Sequence, residues 1–244
     1  MKILANQQVV LSASDLTAAS ECEWAFARRL DAKLGQPITV PPDIDGMRDK
    51  AGVLGDKHEE TLLEEYRNKY PGEVAEIQRP DFSESDEEFF EAIGRRQKET
   101  LEALHQGVTV VFQATFFDGS FQGFADFLVK NDHGEYEVFD AKLARKAKVT
   151  ALLQLAAYAE QLSAHGIPVG QTVHLILGDS TLSSHRLIDI APVFAKRRDH
   201  LRALVDQRVV ALREGQGPIE WNDPSFDMCG RCAPCQEQVE KTHD

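Results

Sequence analysis

Residues 121–158 read FQGFADFLVKNDHGEYEVFDAKLARKAKVTALLQLAAY, and the reading of this stretch decides the fold. Two runs rich in aromatic and β-branched residues, FADFLV and YEVFDA, flank the polar turn NDHGE, the pattern of a hairpin of strands. The apolar run ALLQLAAYA then has the length and composition of a helix. The first strand carries Asp126, the second carries Asp140 and Lys142, and the helix carries Gln154 and Tyr158. Strand side chains alternate faces, so Asp140 and Lys142 share one with Ala141 between them. Residues four apart on a helix also share a face, which stacks Gln154 over Tyr158.

Two carboxylates from paired strands make a place for a hard divalent cation such as Mg²⁺ or Mn²⁺, which prefers oxygen ligands. Asp126, Asp140 and the backbone carbonyl of Ala141 offer three. A lysine beside them can orient an attacking water, help deprotonate it, or neutralise charge on a phosphate. Together these are parts for metal-assisted phosphodiester hydrolysis. A D-x-K segment taken alone is more often a solvated surface pair. Here, however, the carboxylates stand in otherwise apolar strands, where uncompensated charge is costly, and Gln154 interrupts an apolar helix.

The chain has 244 residues, 42% hydrophobic and 27% charged, which fits a folded globular protein. No apolar run approaches the ~18 residues of a membrane span, and the N-terminus lacks a secretory core and cleavage site, so no membrane partner and a cytoplasmic location are expected. The net charge of −13 argues against a protein that coats nucleic acid, but not against a local basic track. Charge is unevenly spread. Residues 81–91 hold six acids and no base, while 141–148, directly after Asp140, hold four bases and no acid. A second basic cluster is KRRDHLR at 196–202. A positive strip beside a metal site suits a polyanionic substrate, though either cluster could equally be a solvated helix face.

Outward from the central stretch, residues 1–11 are expected as a short extended segment, and Ser12 or Ser14 as the cap of a helix over 14–34. The segment 35–48, with three prolines and two glycines, is a loop. A helix over 49–70 carries Gly55, His58 and Glu59; a lone helix histidine is more often structural or exposed. Residues 72–78 are expected as a strand, 83–105 as a helix, and 108–117 as a strand ending in the Asp118–Gly119 hairpin turn. Gln113, in that strand, is read as a polar residue at a sheet edge. Strands over 170–178 and 184–190 and a long helix over 191–213 complete the pattern.

The C-terminal segment contains C-G-R-C-A-P-C, giving Cys229, Cys232 and Cys235, and the fourth cysteine is Cys22. Three thiols in seven residues are hard to explain as core packing. In a reducing compartment a disulfide framework is not expected. Four thiolates around one centre match a [4Fe–4S] cluster, with structural Zn²⁺ as the alternative.

The pattern G-F-A-D…V-F-D-A-K…Q-L-A-A-Y resembles the PD-(D/E)XK nuclease superfamily, in its RecB-like branch, which includes iron–sulfur exonucleases of the CRISPR-associated and AddB type. The resemblance implies an α/β fold with a mixed central sheet flanked by helices (a restriction-endonuclease-like core) and ends joined by a cysteine-ligated cluster. It implies one domain over 1–244, with the core at about 49–190 and cluster-binding ends at about 14–34 and 215–236. By the same resemblance Asp126 and Asp140 are metal ligands, Lys142 is the catalytic lysine, and Gln154 and Tyr158 match a QxxxY signature. His58 is a further metal ligand, which tilts the site toward Mn²⁺; Glu59 is a substitute or supporting ligand. Relatives draw one cluster cysteine from before the core and three from after it. Their last gap is longer than the two residues here, with His243 a distant substitute ligand. The function implied is a metal-dependent deoxyribonuclease. It would be an exonuclease acting on single-stranded or duplex DNA ends in repair, recombination or foreign-DNA processing, alongside a helicase domain or subunit. The alternative is a non-catalytic nucleic-acid-binding module with a structural iron–sulfur or zinc site.

Overall fold

The strand at the centre of the sheet is β5 (Phe121–Lys130), and its neighbours change along its length. On one side it pairs antiparallel with β4 (Val110–Phe117) from Val110↔Val129 to Phe117↔Gln122. On the other side β2 (Val9–Ser12) lies parallel to its first two residues, and β6 (Tyr136–Lys142) lies antiparallel to Phe127–Lys130. Residues 123–126 therefore have β4 alone as a strand neighbour, and the sheet opens where β6 leaves β5. The computed structural model describes residues 1–4, 7–42, 46–80 and 85–242. His243 and part of the acidic segment 81–91 lie outside them.

Among the described residues the sheet has eight strands and is mixed. β1 (Lys2–Ile3) pairs antiparallel with β2, and β3 (Val74–Glu76) pairs parallel with β4. β6 runs parallel to β7 (Thr172–Leu177), which pairs antiparallel with β8 (Leu182–Arg186). The parallel β6–β7 pair requires a crossover, supplied by α5 (Val149–Ala164). One sheet face is covered by α5 with α1 (Ala13–Glu21), α2 (Glu23–Lys33) and α6 (Leu187–Arg213), over a core that includes Trp24, Phe26, Leu128, Val138 and Leu155. The other face carries α3 (Gly46–Lys69), whose Leu62, Leu63 and Tyr66 pack on Val110, Phe127 and Ala141. α4 (Asp86–Gln106) lies along β4, and α7 (Ala233–Thr242) follows the last cysteine. No described helix is long and apolar enough to cross a membrane.

The mixed sheet flanked by helices is the expected architecture, with three local differences. The helix expected over 14–34 is two helices, because Cys22 is extended (φ −163°, ψ 102°) and ends one while opening the next. Ser12 caps the first, in a reciprocal box with Asp15. The strand expected over 184–190 ends at Arg186 and the helix starts at Leu187, so that Pro192 falls inside it, past the first turn, where it removes the bond its N–H would make to the Ile188 carbonyl. Finally, Gln113, expected at a sheet edge, is buried, and it lies just past the end of the β3 pairing at Phe112.

Gln113 also has φ +56°, a left-handed conformation that strains a residue with a side chain. Side-chain alternation slips there. Val111 faces the larger core, but so does Ala114, three residues on; on β5, Ala125 and Leu128 show the same slip around Asp126. Gln113 and Asp126 thus sit where two neighbouring strands change faces together, beside the opening between β5 and β6.

Candidate active site

Asp126 stands on β5 at the edge of the opening, next to where Phe127↔Phe139 begins the β5–β6 ladder. Beyond that pair the backbone N–H of Ala141 has left β5, and it donates to Asp126 Oδ2 at 2.9 Å. A side chain thus takes the place of a strand partner, which holds the carboxylate against the divergent end of β6. Of Ala141 it is the amide that is engaged here; the expected ligand was its carbonyl.

Asp140 is fully buried. Lys142 Nζ stands 2.7 Å from its Oδ2, yet neither oxygen of Asp140 has a hydrogen-bond donor in good geometry. Burial, and then the Asp126 carboxylate beside it, hold the Asp140 carboxyl well above the usual carboxylate range. Burial works to lower the Lys142 pKa. The carboxylates of Asp140, Asp126 and Glu59 outweigh it, so the ammonium holds its proton more tightly than usual.

Glu59 of α3 completes the acidic group. Its Oε2 accepts from Gln113 Nε2 at 2.7 Å and from Arg79 Nη2 at 3.4 Å. The same guanidinium donates to Gln113 Oε1 at 2.5 Å and lies 3.7 Å from Asp126 Oδ1. Even so, burial and the Asp126 charge push the Glu59 carboxyl up to about 7. Three carboxylates face two cations, and two of the three acids are raised: the site is short of positive charge. A buried carboxylate whose only close cation is Lys142, and whose Oδ1 has no partner, fits a divalent cation, which would supply the missing charge and use its oxygens as ligands.

His58 is half-buried on α3, and its Nε2 is buried without a hydrogen-bond partner. It lies outside the lining of the cleft, whereas Glu59 is part of it. Among the described residues, the one group of three or more ligand atoms gathered within 4.8 Å is the cysteines, not the carboxylates and His58.

Gln154 Nε2 donates to the Tyr158 hydroxyl at 3.2 Å on α5. Tyr158 is buried against β5, and burial raises its pKa. Gly123 makes room for it: a Cβ there would lie 2.5 Å from Tyr158 Cε1. Asp126, Lys142, Gln154, Tyr158, Glu59 and Arg79 all line one open cleft with a volume of about 530 Å³. Arg79 and Gln113 carried no local pattern that marked them; only the contact of α3 with the kinked β4 shows their part.

Cys22, Cys229, Cys232 and Cys235 come together from both ends of the chain, their sulfurs within 4.8 Å of one another and Cys22 Sγ 3.6 Å from Cys235 Sγ. The Cys229 sulfur accepts N–H groups from Arg231 (3.4 Å) and Cys232 (3.3 Å). Four sulfurs at this separation fit a metal or an iron–sulfur cluster. The ends are joined by other contacts as well. Trp24 donates to the Glu220 carbonyl at 2.8 Å and packs edge-on against Trp221. Buried Asp31 accepts from Arg208 at 3.0 Å and from the Ile219 N–H at 2.8 Å.

Comparison with the curated proteins finds no match. Among solved structures, a candidate exonuclease from Eubacterium rectale is similar over 97% of this chain and 93% of its own, at 12% identity and a TM-score of 0.47. The family model of the PD-(D/E)XK nuclease superfamily matches residues 10–235, from β2 to the last cysteine, and the chain belongs to that superfamily.

Proposed function

We propose that the protein is a metal-dependent deoxyribonuclease of the RecB-like branch, an exonuclease whose ends are tied by a [4Fe–4S] cluster. The observation that carries this reading is the pair Asp126 and Asp140 with Lys142 at the opening of β5 from β6, a buried acidic site short of positive charge. Asp126 and Asp140, with His58 and the Ala141 carbonyl as further ligands, would hold a Mn²⁺ or Mg²⁺ ion, which would supply Lewis-acid charge for phosphodiester hydrolysis. The chain's own residues do the rest. Lys142, half-exposed and firmly charged, orients the attacking water and balances charge on the phosphate. Gln154 and Tyr158, bonded to each other in the cleft wall, position Lys142 or the strand's backbone. Arg79 holds Glu59 and Asp126 apart from full repulsion. The partner this reading expects is a helicase domain or subunit that feeds DNA to the site, in a cytoplasmic repair, recombination or foreign-DNA pathway.

The test is cleavage of labelled single- and double-stranded DNA by anaerobically purified protein with Mn²⁺, Mg²⁺ or EDTA, beside Lys142→Ala. Metal-dependent cleavage lost in the variant is expected. No cleavage of any substrate, with the cluster loaded, favours a binding module instead. Iron and zinc are told apart in the same preparation, since an iron–sulfur protein is brown and a zinc protein colourless.

A further inference from the structure

The cleft extends well beyond the carboxylates. At its far end lies Gln122, 6% exposed, with a side-chain oxygen that is buried and has no hydrogen-bond partner. It lies four positions before Asp126 on β5, about 13 Å at the strand rise. The same cleft is lined by Ser12, whose strand pairs with β5 at Gln122, by Ser14 and by Lys33, which has no ion-pair partner among the described residues. On the other side of Lys142 a second hollow of about 320 Å³ is lined by Thr17, Lys146, Lys148 and Thr150. The two hollows share Ser14, Lys142 and Gln154, so a single trough passes the acidic site.

We propose that this trough holds one unpaired nucleic-acid strand and that the Gln122 amide hydrogen-bonds a base of that strand, a few nucleotides from the carboxylates. The inference rests on the nuclease reading and specifies its substrate. An amide presents an acceptor and a donor side by side, which is the pattern a base edge answers. Buried as it is in the cleft wall, Gln122 cannot enter a duplex groove. The base must come to it, and an unpaired base can be splayed out that far. Lys33, Lys142, Lys146 and Lys148 supply the cations that track the phosphates.

The experiment is fluorescence-anisotropy binding of single-stranded and duplex DNA of mixed sequence, with Ca²⁺ as the cation, by wild type, Gln122→Leu and Gln122→Glu. The wild type is expected to prefer the single strand. Gln122→Leu, which keeps the volume and removes the unpaired oxygen, should fold at least as well and bind single strands about tenfold more weakly, the factor carried by about 1.4 kcal/mol of lost hydrogen bonding. Gln122→Glu keeps the shape, adds a charge facing phosphates, and should bind more weakly still. Wild-type affinity in both variants, or a wild-type preference for duplex, overturns the proposal and leaves the nuclease reading intact. A wild type that neither binds nor cleaves DNA overturns both.

Discussion

Glu59 makes the electrostatics of the site measurable without any catalysis. Its carboxyl is pushed from 4.5 up to about 7 by burial and by Asp126, with its side chain 16% exposed. A folded-state pKa above the unfolded one means the folded protein binds that proton more tightly. Its contribution is therefore fully present below pH 4.5 and is lost as pH rises through about 7. At 1.36 kcal/mol per pKa unit, this loss comes to about 3 kcal/mol. Glu59→Gln carries no charge at any pH and keeps an oxygen for Gln113 Nε2 to donate to. Urea denaturation of protein dialysed free of divalent cations, at steps from pH 4.5 to 8, compares the two. The wild type should lose about 3 kcal/mol more than the variant over that window, and above it the variant should be the more stable protein. Asp140 is raised as well and is present in both proteins, so the difference between them reports Glu59 together with its effect on Asp126 and Lys142. Parallel curves would refute the reasoning, because they would mean that the Glu59 charge is not felt in the folded state.

Three further outcomes follow from other parts of the structure. Gly123→Ala places a Cβ 2.5 Å from the buried ring of Tyr158, so thermal melting should show a loss of about 1–3 kcal/mol, with cleavage reduced as Tyr158 shifts; unchanged melting would mean the ring has room to move. Arg208→Leu leaves Asp31 buried and ionised without its partner and should cost about 3–5 kcal/mol, whereas pairing it with Asp31→Leu should recover most of that. Equal losses in the single and double variants, read by denaturant unfolding, would contradict this. Cys22→Ser removes one of four converging sulfurs, and elemental analysis of the purified protein should show most of the bound iron or zinc gone, with residues after 220 cut sooner by protease. Full metal content would place the fourth ligand elsewhere.

The two closures of the molecule are physically different. Cys22 and Cys235 are 213 residues apart and Asp31 and Arg208 are 177 apart, and closing so long a loop restricts the unfolded chain. At the site the sheet does the opposite and comes apart. The stretch of β5 that keeps β4 alone as a neighbour gives up strand hydrogen bonds on its other side, and the Asp126 carboxylate recovers one of them from Ala141.

Much of this was legible along the chain because it depends on local order. The aromatic and β-branched runs FADFLV and YEVFDA, the apolar helix carrying Gln154 and Tyr158, and the Asp118–Gly119 turn are short-range patterns, and each forms the expected element. The convergence of the four cysteines was legible for another reason, since three clustered thiols need a fourth and only Cys22 remained. Tertiary structure alone decided the rest. Cys22 breaks its helix because the sulfur must turn toward the C-terminal segment, a demand no propensity encodes. Gln113 reads as an edge residue until α3 brings Glu59 and β3 leads into Arg79, and only then does its left-handed backbone make sense. Gln122 looks like any polar strand residue in the sequence; its burial at the end of a cleft follows from β2 and β6 meeting β5 at opposite ends. Alternation and spacing act between neighbours along the chain, while burial, charge imbalance and an unpartnered atom belong to surfaces that only folding brings together.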